Sequence, residues 1–248
     1  MRITLIVGVV TVTAVTAPSA SAEIIDGANW ADEVVEYSAN IQNYDGFLMD
    51  EDMEWWLLKE PDCDVNENGY AWDPVDQDTV AGWRTTDAGE YVVMYWEHGL
   101  LDRSGDDLSI ILYGGPFADA EVSASVDGVV YRLIGTIGGG TPGYLREETL
   151  DFAGLFDTCV HYVQVLRVAS GPQTGMFFDA FGGDVYWGDF DGDCDIDLYD
   201  FASLQVCFSG DGGGIWGRAC APGDFDRDDD IDGDDWASFA DEFTGPVQ

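Results

Sequence analysis

Two stretches near the C-terminus carry the same acidic phrase 35 residues apart: GDFDGDCDIDLYDFAS from Gly188 and GDFDRDDDIDGDDWAS from Gly223. Carboxylates crowded this closely repel one another, and a chain with 9 Lys and Arg against 49 Asp and Glu cannot neutralise them from within. A divalent cation removes the conflict. Calcium takes six to eight oxygens, and a tightly turning twelve-residue loop with acids at alternate positions can point them all inward. With Asp189 as position 1, the side-chain ligand slots 1, 3, 5, 9 and 12 are Asp189, Asp191, Asp193, Asp197 and Asp200, with the carbonyl of Asp195 at position 7. The second loop repeats this as Asp224, Asp226, Asp228, Asp232 and Asp235, with the carbonyl of Asp230. Two bound calcium ions are expected.

Position 8 is Ile in both loops (Ile196, Ile231), where paired loops of this type usually make a short strand contact. Aromatic residues follow position 12: Phe201 and Phe208, then Trp236, Phe239 and Phe243, at a spacing that predicts a short amphipathic helix after each loop. An acidic solvated linker has no reason to repeat phase, Ile and aromatics together. At these residues the chain resembles the dockerin type I family over roughly 188–245. The resemblance implies a small helical module that docks onto a cohesin-like or other exported protein. Asp200 and Asp235 match that family's use of Asp at position 12. Position 6, normally a left-handed Gly, is instead Cys194 and Asp229, which makes the first loop the more strained one. Positions 10 and 11, where the family reads its partner through small hydroxyl residues, are Leu198 and Tyr199, then Gly233 and Asp234.

Met1 and Arg2, the apolar run Ile3 to Val15 and the small residues Ala20, Ser21 and Ala22 read as a signal peptide over 1–22. The mature chain is expected to be exported, secreted or held at the cell surface, with no transmembrane segment. Its formal net charge of −40 becomes −41 once Arg2 leaves. Such a charge repels nucleic acid and anionic membranes. At 46% hydrophobic and 13% aromatic residues the chain still has ample material for a core. Five cysteines are an odd set for an exported protein. The expected pairs are Cys207 with Cys220 and Cys63 with Cys159, leaving Cys194 free; Cys194 with Cys207 is the alternative. With no CxxC, His98 and His161 are expected to be half-buried structural residues rather than zinc ligands.

Residues 23–183 form one domain-sized segment with a periodicity of two. EYVVMYWE (90–97), LSIILYG (108–114), AEVSASVDG (120–128), VVYRLIGTI (129–137) and HYVQVLRVA (161–169) read as strands, with a tight hairpin turn at Val126, Asp127 and Gly128. Short strands at this spacing predict an antiparallel β-sandwich. The order of these phrases, closed by MFFDAFGG, is similar to galactose-binding-like or discoidin-like jelly rolls of bacterial exported proteins over roughly 80–183. That likeness implies carbohydrate or cell-surface ligands held by loops at one end. Asp64, Asn66, Asn68 and Gly69 open like a calcium loop, but position 12 is Val75, so an Asx-turn loop competes with a metal site there. Asp102, Asp106 and Asp107 flank the SGDD turn, where a further calcium ion in the sandwich is possible. Among Trp30, Trp55, Trp56, Trp72, Trp83 and Trp96, one of the adjacent pair Trp55 and Trp56 is the candidate for an exposed ring that stacks on a sugar.

The expected architecture is therefore mainly β: a jelly-roll-like sandwich (23–183) followed by a small helical module with two calcium loops (184–248). No GxSxG, HExxH or Cys/His constellation marks an active site. The expected function is that of an exported, non-catalytic calcium-binding protein, a β-sandwich binding or adhesion domain tethered through a dockerin-like module, in polysaccharide binding or cell-surface assembly, with neutral polysaccharide or a protein surface as what the charge allows. The alternative is an enzyme or accessory protein of extracellular polysaccharide degradation.

Overall fold

The computed structural model describes residues 30–43, 57–58, 81–83, 88–114, 118–138, 145–168, 175–215 and 217–243. Among these residues ten strands come first: β1 (Glu33–Tyr37), β2 (Gln42–Asn43), β3 (Ala81–Trp83), β4 (Tyr91–Leu100) and β5 (Leu108–Gly114), then β6 (Asp119–Ser125), β7 (Arg132–Gly138), β8 (Leu145–Leu150), β9 (Val160–Arg167) and β10 (Met176–Gly183). Two helices follow, α1 (Leu198–Cys207) and α2 (Gly233–Glu242), with a 3-10 turn over Arg218–Gly223 between them. The strands form two five-stranded sheets, ordered β1-β4-β9-β6-β7 and β2-β3-β10-β5-β8. Every recorded strand pair is antiparallel. The protein is mainly β, and the two sheets close as a sandwich.

Alternation along β4 shows why. Val92, Met94 and Trp96 enter the core between the sheets, joined from β9 by Val160, Val163 and Val165, from β6 by Ala120, Val122 and Ala124, and from the facing sheet by Ile110, Leu112, Phe178 and Phe181. β10 is buried along its whole length, at the centre of its sheet between β3 and β5. Edge-on aromatic packing fixes it there, with Trp83 and Phe178 ring centroids 5.1 Å apart. Gly82 allows β3 to lie this close, because a Cβ at that position would fall 2.0 Å from the Met176 carbonyl oxygen. Gly82→Ala must push two backbones apart, so it should lower stability by about 1–3 kcal/mol. A denaturant midpoint unchanged from wild type would contradict this.

β6 and β7 make the tight hairpin, and here the structure corrects one strand boundary. The expected strand 129–137 begins only at Arg132, and Val129 and Val130 stand exposed in the turn at 78% and 64%. Asp127 is the reason. Its Oδ1 accepts the N–H groups of Val129 (2.9 Å) and Val130 (3.0 Å), and Gly128, at φ 69°, donates to Ser125 Oγ. Local side-chain bonds of this kind replace ladder bonds. Those backbone donors, Val130 first and Val129 next, also hold the Asp127 carboxyl below its ordinary pKa.

The C-terminal segment has its own core of Tyr186, Ile196, Leu204, Cys207, Cys220, Ile231 and Phe239. It is nonetheless fastened to the sandwich. Leu101 packs into this second core, and Val185 bridges to Leu100 at the end of β4. His98 donates its Nδ1–H to the Asp189 carbonyl at 2.8 Å, and a disulfide joins Cys159, just before β9, to Cys194. The expected pair Cys63 with Cys159 and the free Cys194 are therefore both corrected. Cys194 at position 6 is half-buried against β9, and this puts it beside Cys159. Cys63 lies outside the described residues. The expected Cys207–Cys220 bridge is present and ties the end of α1 to the 3-10 turn, which excludes the alternative Cys194–Cys207 pair. No described helix is long and apolar enough to cross a membrane.

Candidate metal centre and binding faces

The two acidic loops fold as copies of one another. In the first, Asp189 Oδ1 accepts the N–H groups of Gly192 and Asp193, and Oδ2 that of Cys194 at 2.9 Å. In the second, Asp224 accepts from Asp228 and Asp229 in the same way. At position 12, Asp200 takes the N–H groups of Phe190 and Asp191 on one oxygen and that of Asp197 on the other. Asp235 does the same for Phe225, Asp226 and Asp232. Positions 1 and 12 thus draw each loop into a ring around its own carboxylates.

Position 6 is left-handed in both loops, with φ 70° at Cys194 and 68° at Asp229. The turn normally made by Gly is therefore made by residues with a Cβ, and at Cys194 the disulfide holds it. Gly188 and Gly223, just before each loop, serve the pairing of the repeats. A Cβ on Gly188 would meet Phe225 at 2.8 Å, and one on Gly223 would meet Phe190 at 2.9 Å. Each loop's Phe at position 2 lies over the other loop's leading glycine, which is why the phrase GDFD recurs whole.

Asp189, Asp191 and Asp200 offer carboxylate oxygens within 4.8 Å of one another, as do Asp224, Asp226 and Asp228. Asp195, Asp197 and Asp200 form a further buried triad, so Asp200 belongs to two groups at once. The structure differs from expectation at two positions. At position 7 the side chains of Asp195 and Asp230 are themselves buried; Asp230 accepts from the Gly212 N–H on Oδ2, while Oδ1 has no hydrogen-bond partner. At position 9 the carboxylates cap helices: Asp197 accepts from Tyr199 N at 2.7 Å and Asp232 from Asp234 N at 2.8 Å. Asp193 and Asp228 each accept the N–H two residues ahead, from Asp195 and Asp230. The strand contact expected between Ile196 and Ile231 does not form. Both Ile side chains are buried, but Ile231 gives its N–H to Ser209 Oγ, and its carbonyl accepts from Ser209 and Gly210.

Electrostatics follow from this crowding. Burial first, and Asp200 among the other causes, push the Asp189 carboxyl up to about 7 against the pull of the backbone N–H groups. Burial likewise raises Asp191, Asp200, Asp224 and Asp226. Carboxylates held together and desolvated in this way fit a hard divalent cation, which supplies the missing positive charge.

In the sandwich, Asp102 and Asp107 gather with Asp151, but Asp106 turns away to accept from the Thr149 hydroxyl at 2.6 Å. Both oxygens of Asp102 cap the 152–156 segment through Gly154 N and Phe156 N, and those of Asp107 accept from Arg103 N and Phe152 N. Burial raises Asp107 to about 6 despite those donors. Trp30, Trp83 and Trp96 are buried. Trp55, Trp56 and Trp72, and the segment Asp64 to Val75, lie outside the described residues.

Two surface faces stand out, the first of them missed by sequence reasoning. On the outer face of the β1-β4-β9-β6-β7 sheet, register sets Glu33, Tyr95, Tyr162 and Ser125 side by side across four strands. The Tyr95 and Tyr162 rings are 5.1 Å apart, and Tyr91 donates its hydroxyl to Glu36. Tyr131 joins them from the hairpin: burial, then Glu36 and Tyr162, raise its phenol pKa. The alternation of EYVVMYWE, with Val92, Met94 and Trp96 inward, already placed Tyr91 and Tyr95 on the opposite face. Among the described residues cations are scarce beside it, since Arg132 is drawn to the Leu155 carbonyl and the Phe156 ring, and Arg167 is buried against Glu90. The second face lies on the helices, where Leu198, Tyr199 and Val206 are 70%, 74% and 85% exposed beside a groove lined by Phe201, Leu204, Phe208 and Trp236.

No known family model matches the chain, and no curated protein matches it. Among solved structures it is similar to the C-terminal domain of a chitobiase from Bacteroides fragilis, at 13% identity and a TM-score of 0.38, over 64% of this chain and 97% of that one. It is also similar to CBM32-1 from a family 31 glycoside hydrolase of Clostridium perfringens (12% identity, TM-score 0.30, 52% and 89% covered). A third is chitosan-binding module 1 of a chitosanase/glucanase from Paenibacillus sp. IK-5 (13%, 0.29, 41% and 72%).

Proposed function

We propose that this is an exported, non-catalytic binding protein: a β-sandwich that holds neutral polysaccharide, joined to a calcium-stabilised dockerin-like module that docks onto a cohesin-like or other exported protein. The observation that carries the reading is the duplicated loop, in which position 12 repeats bond for bond, position 1 accepts the N–H groups of positions 5 and 6 in both copies, and position 6 is left-handed in both. Asp189, Asp191, Asp193, Asp197 and Asp200 in the first loop, and Asp224, Asp226, Asp228, Asp232 and Asp235 in the second, would hold the ions, with the residue 195 and 230 carbonyls. Calcium would supply charge neutralisation and cross-linking of each loop, and no reaction. Extracellular calcium sites work at about 10⁻⁴ to 10⁻³ M, a range suited to export.

The exposed apolar residues of α1 support a protein partner, because Leu198, Tyr199 and Val206 spend hydrophobic area on solvent that a docked surface would cover. For the sandwich, the tyrosine face supports a sugar ligand: phenol rings stack on the apolar faces of pyranoses, and Glu33, Glu36 and Gln164 can accept or donate to hydroxyl groups, Gln164 lying two positions beyond Tyr162 on β9 and so on the same face. The acids around it favour a neutral chain over a polyanion.

Affinity electrophoresis on neutral glycans in millimolar calcium is the direct measurement. Tyr95→Ala and Tyr162→Ala should each weaken retention by about 1 kcal/mol, roughly fivefold, measured at a temperature where both variants remain folded, since each also gives up about 0.2–1 kcal/mol of cross-strand packing. Binding confined to polyanions, or unaffected by both substitutions, would remove the tyrosine face from the proposal. Pull-down from exported proteins should yield a partner in calcium and lose it in chelator; release of reducing sugar from the glycans would favour an enzyme instead.

A further inference from the structure

The chain has two histidines, and one of them stands against a disulfide. His161 Nε2 lies 3.4 Å from Cys159 Sγ and 3.4 Å from Cys194 Sγ. Its other nitrogen, Nδ1, is 2.8 Å from the Trp96 carbonyl oxygen. A carbonyl only accepts, so Nδ1 carries the proton and Nε2 of the neutral ring aims its lone pair at the two sulfurs. Stacking on Tyr95, with centroids 6.0 Å apart, holds the ring plane. An imidazole oriented by a carbonyl on its far nitrogen is the usual arrangement of a metal-ligating histidine. The distances agree: Zn–S of about 2.3 Å and Zn–N of about 2.0–2.1 Å at a tetrahedral angle place N and S about 3.5 Å apart. Two thiolates on one such ion stand about 3.8 Å apart, so the covalent bond must open before an ion can enter.

We propose that Cys159, His161 and Cys194 form a redox-gated site for a borderline-soft divalent cation of the Zn²⁺ class, closed as the disulfide and opened by a dithiol reductant. Cys194 is half-buried and Cys159 buried, so the reductant's thiolate attacks Cys194 Sγ and Cys159 leaves. The reductant's second thiol then releases Cys194 and departs as its own disulfide. Two electrons and two protons have passed to the protein, which now carries two thiols. On binding, both thiols give their protons to solvent, and the two thiolates and Nε2 hold the ion, with water in the fourth position. Sulfur and imidazole donors separate this site from the oxygen-only loops in ion preference, although Cys194 belongs to both.

The test uses the full chain, with calcium in excess to fill the loops, reduced by a dithiol that is then removed without air. Thiol alkylation is followed residue by residue by peptide mass, with and without Zn²⁺. Zinc should slow modification of Cys159 and Cys194 by at least about tenfold while Cys207 and Cys220, which have no histidine beside them, stay unprotected. His161→Ala should cut that protection by at least about tenfold, the smallest loss expected even for a second-sphere partner. The oxidised variant's near-ultraviolet dichroism shows whether it folds. Co²⁺ should give the reduced wild type a sulfur-to-metal charge-transfer band that Cys194→Ser lacks. Equal alkylation with and without zinc, including from a reduced chain that has unfolded, overturns the site, as does protection that survives in a folded His161→Ala.

Discussion

Removing calcium from the full-length chain should lower the stability of the C-terminal module by about 5 kcal/mol. At about 100 times the dissociation constant, roughly 10–100 mM calcium for extracellular-type loops, each of the two proposed sites would contribute about 2.7 kcal/mol. That sum rivals the whole stability of a small domain, roughly 5–15 kcal/mol. Thermal melts followed by helical dichroism in calcium and in chelator give the number directly. The direction of its pH dependence is distinctive. Without calcium, burial raises Asp189 to about 7, and Asp200 and Asp224 also rise, so these groups favour the folded state when protonated. A raised folded-state pKa contributes stability that is full below the unfolded value near 3.8 and lost as pH climbs through the folded one. In chelator the module should therefore melt higher at pH 5 than at pH 8. In calcium the order should reverse, because protons compete with the ion for the same oxygens. Equal melting in calcium and chelator, or the same pH slope in both, would count against the calcium loops.

The second large effect belongs to the sandwich. Glu90 and Arg167 are both buried where β4 and β9 meet, and the guanidinium Nη1 bonds to the carboxylate at 2.5 Å. Neighbouring backbone bonds close the corner, from Arg167 N to the Glu90 carbonyl and from Gly89 N to the Arg167 carbonyl, each 2.8 Å. Glu90→Ala takes the carboxylate from a desolvated cation and should cost about 3–5 kcal/mol. Replacing both, as Glu90→Leu with Arg167→Met, should recover most of that loss, since an apolar pair of similar volume carries no desolvation penalty. Urea unfolding of the single and double variants measures both. A single variant within about 1 kcal/mol of wild type would show that water or another group replaces the carboxylate.

Local chemistry was legible in the chain itself. The two acidic loops, the helices after them, the strands at 91–100 and 108–114 and the Asp127 turn are written by neighbouring residues, because Asp bonding to loop N–H groups, capping and alternation act over a few positions. The sandwich followed from the number and period of such strands. Other features depended on contacts between distant segments. β8 went unread because LREETL is a charged edge strand with no apolar alternation, and only pairing to β5 makes it a strand. Spacing could not choose a partner for Cys159, since closing a loop of 35 residues or of nearly a hundred differs little in entropy. The left-handed turn at Cys194 and the docking of the first loop against β4 made that choice. The tyrosine face required strand register, which sets Tyr95 of β4 beside Tyr162 of β9 across a gap of 67 residues. His161 is half-buried as expected, but only the fold placed one of its nitrogens on a carbonyl and the other beside two sulfurs. Sequence by itself determined where charge had to be neutralised and which segments would be strands or helices, because those forces are short-ranged. Which side chains meet was decided only by the packed sheets, since a contact between distant segments depends on every element that positions them.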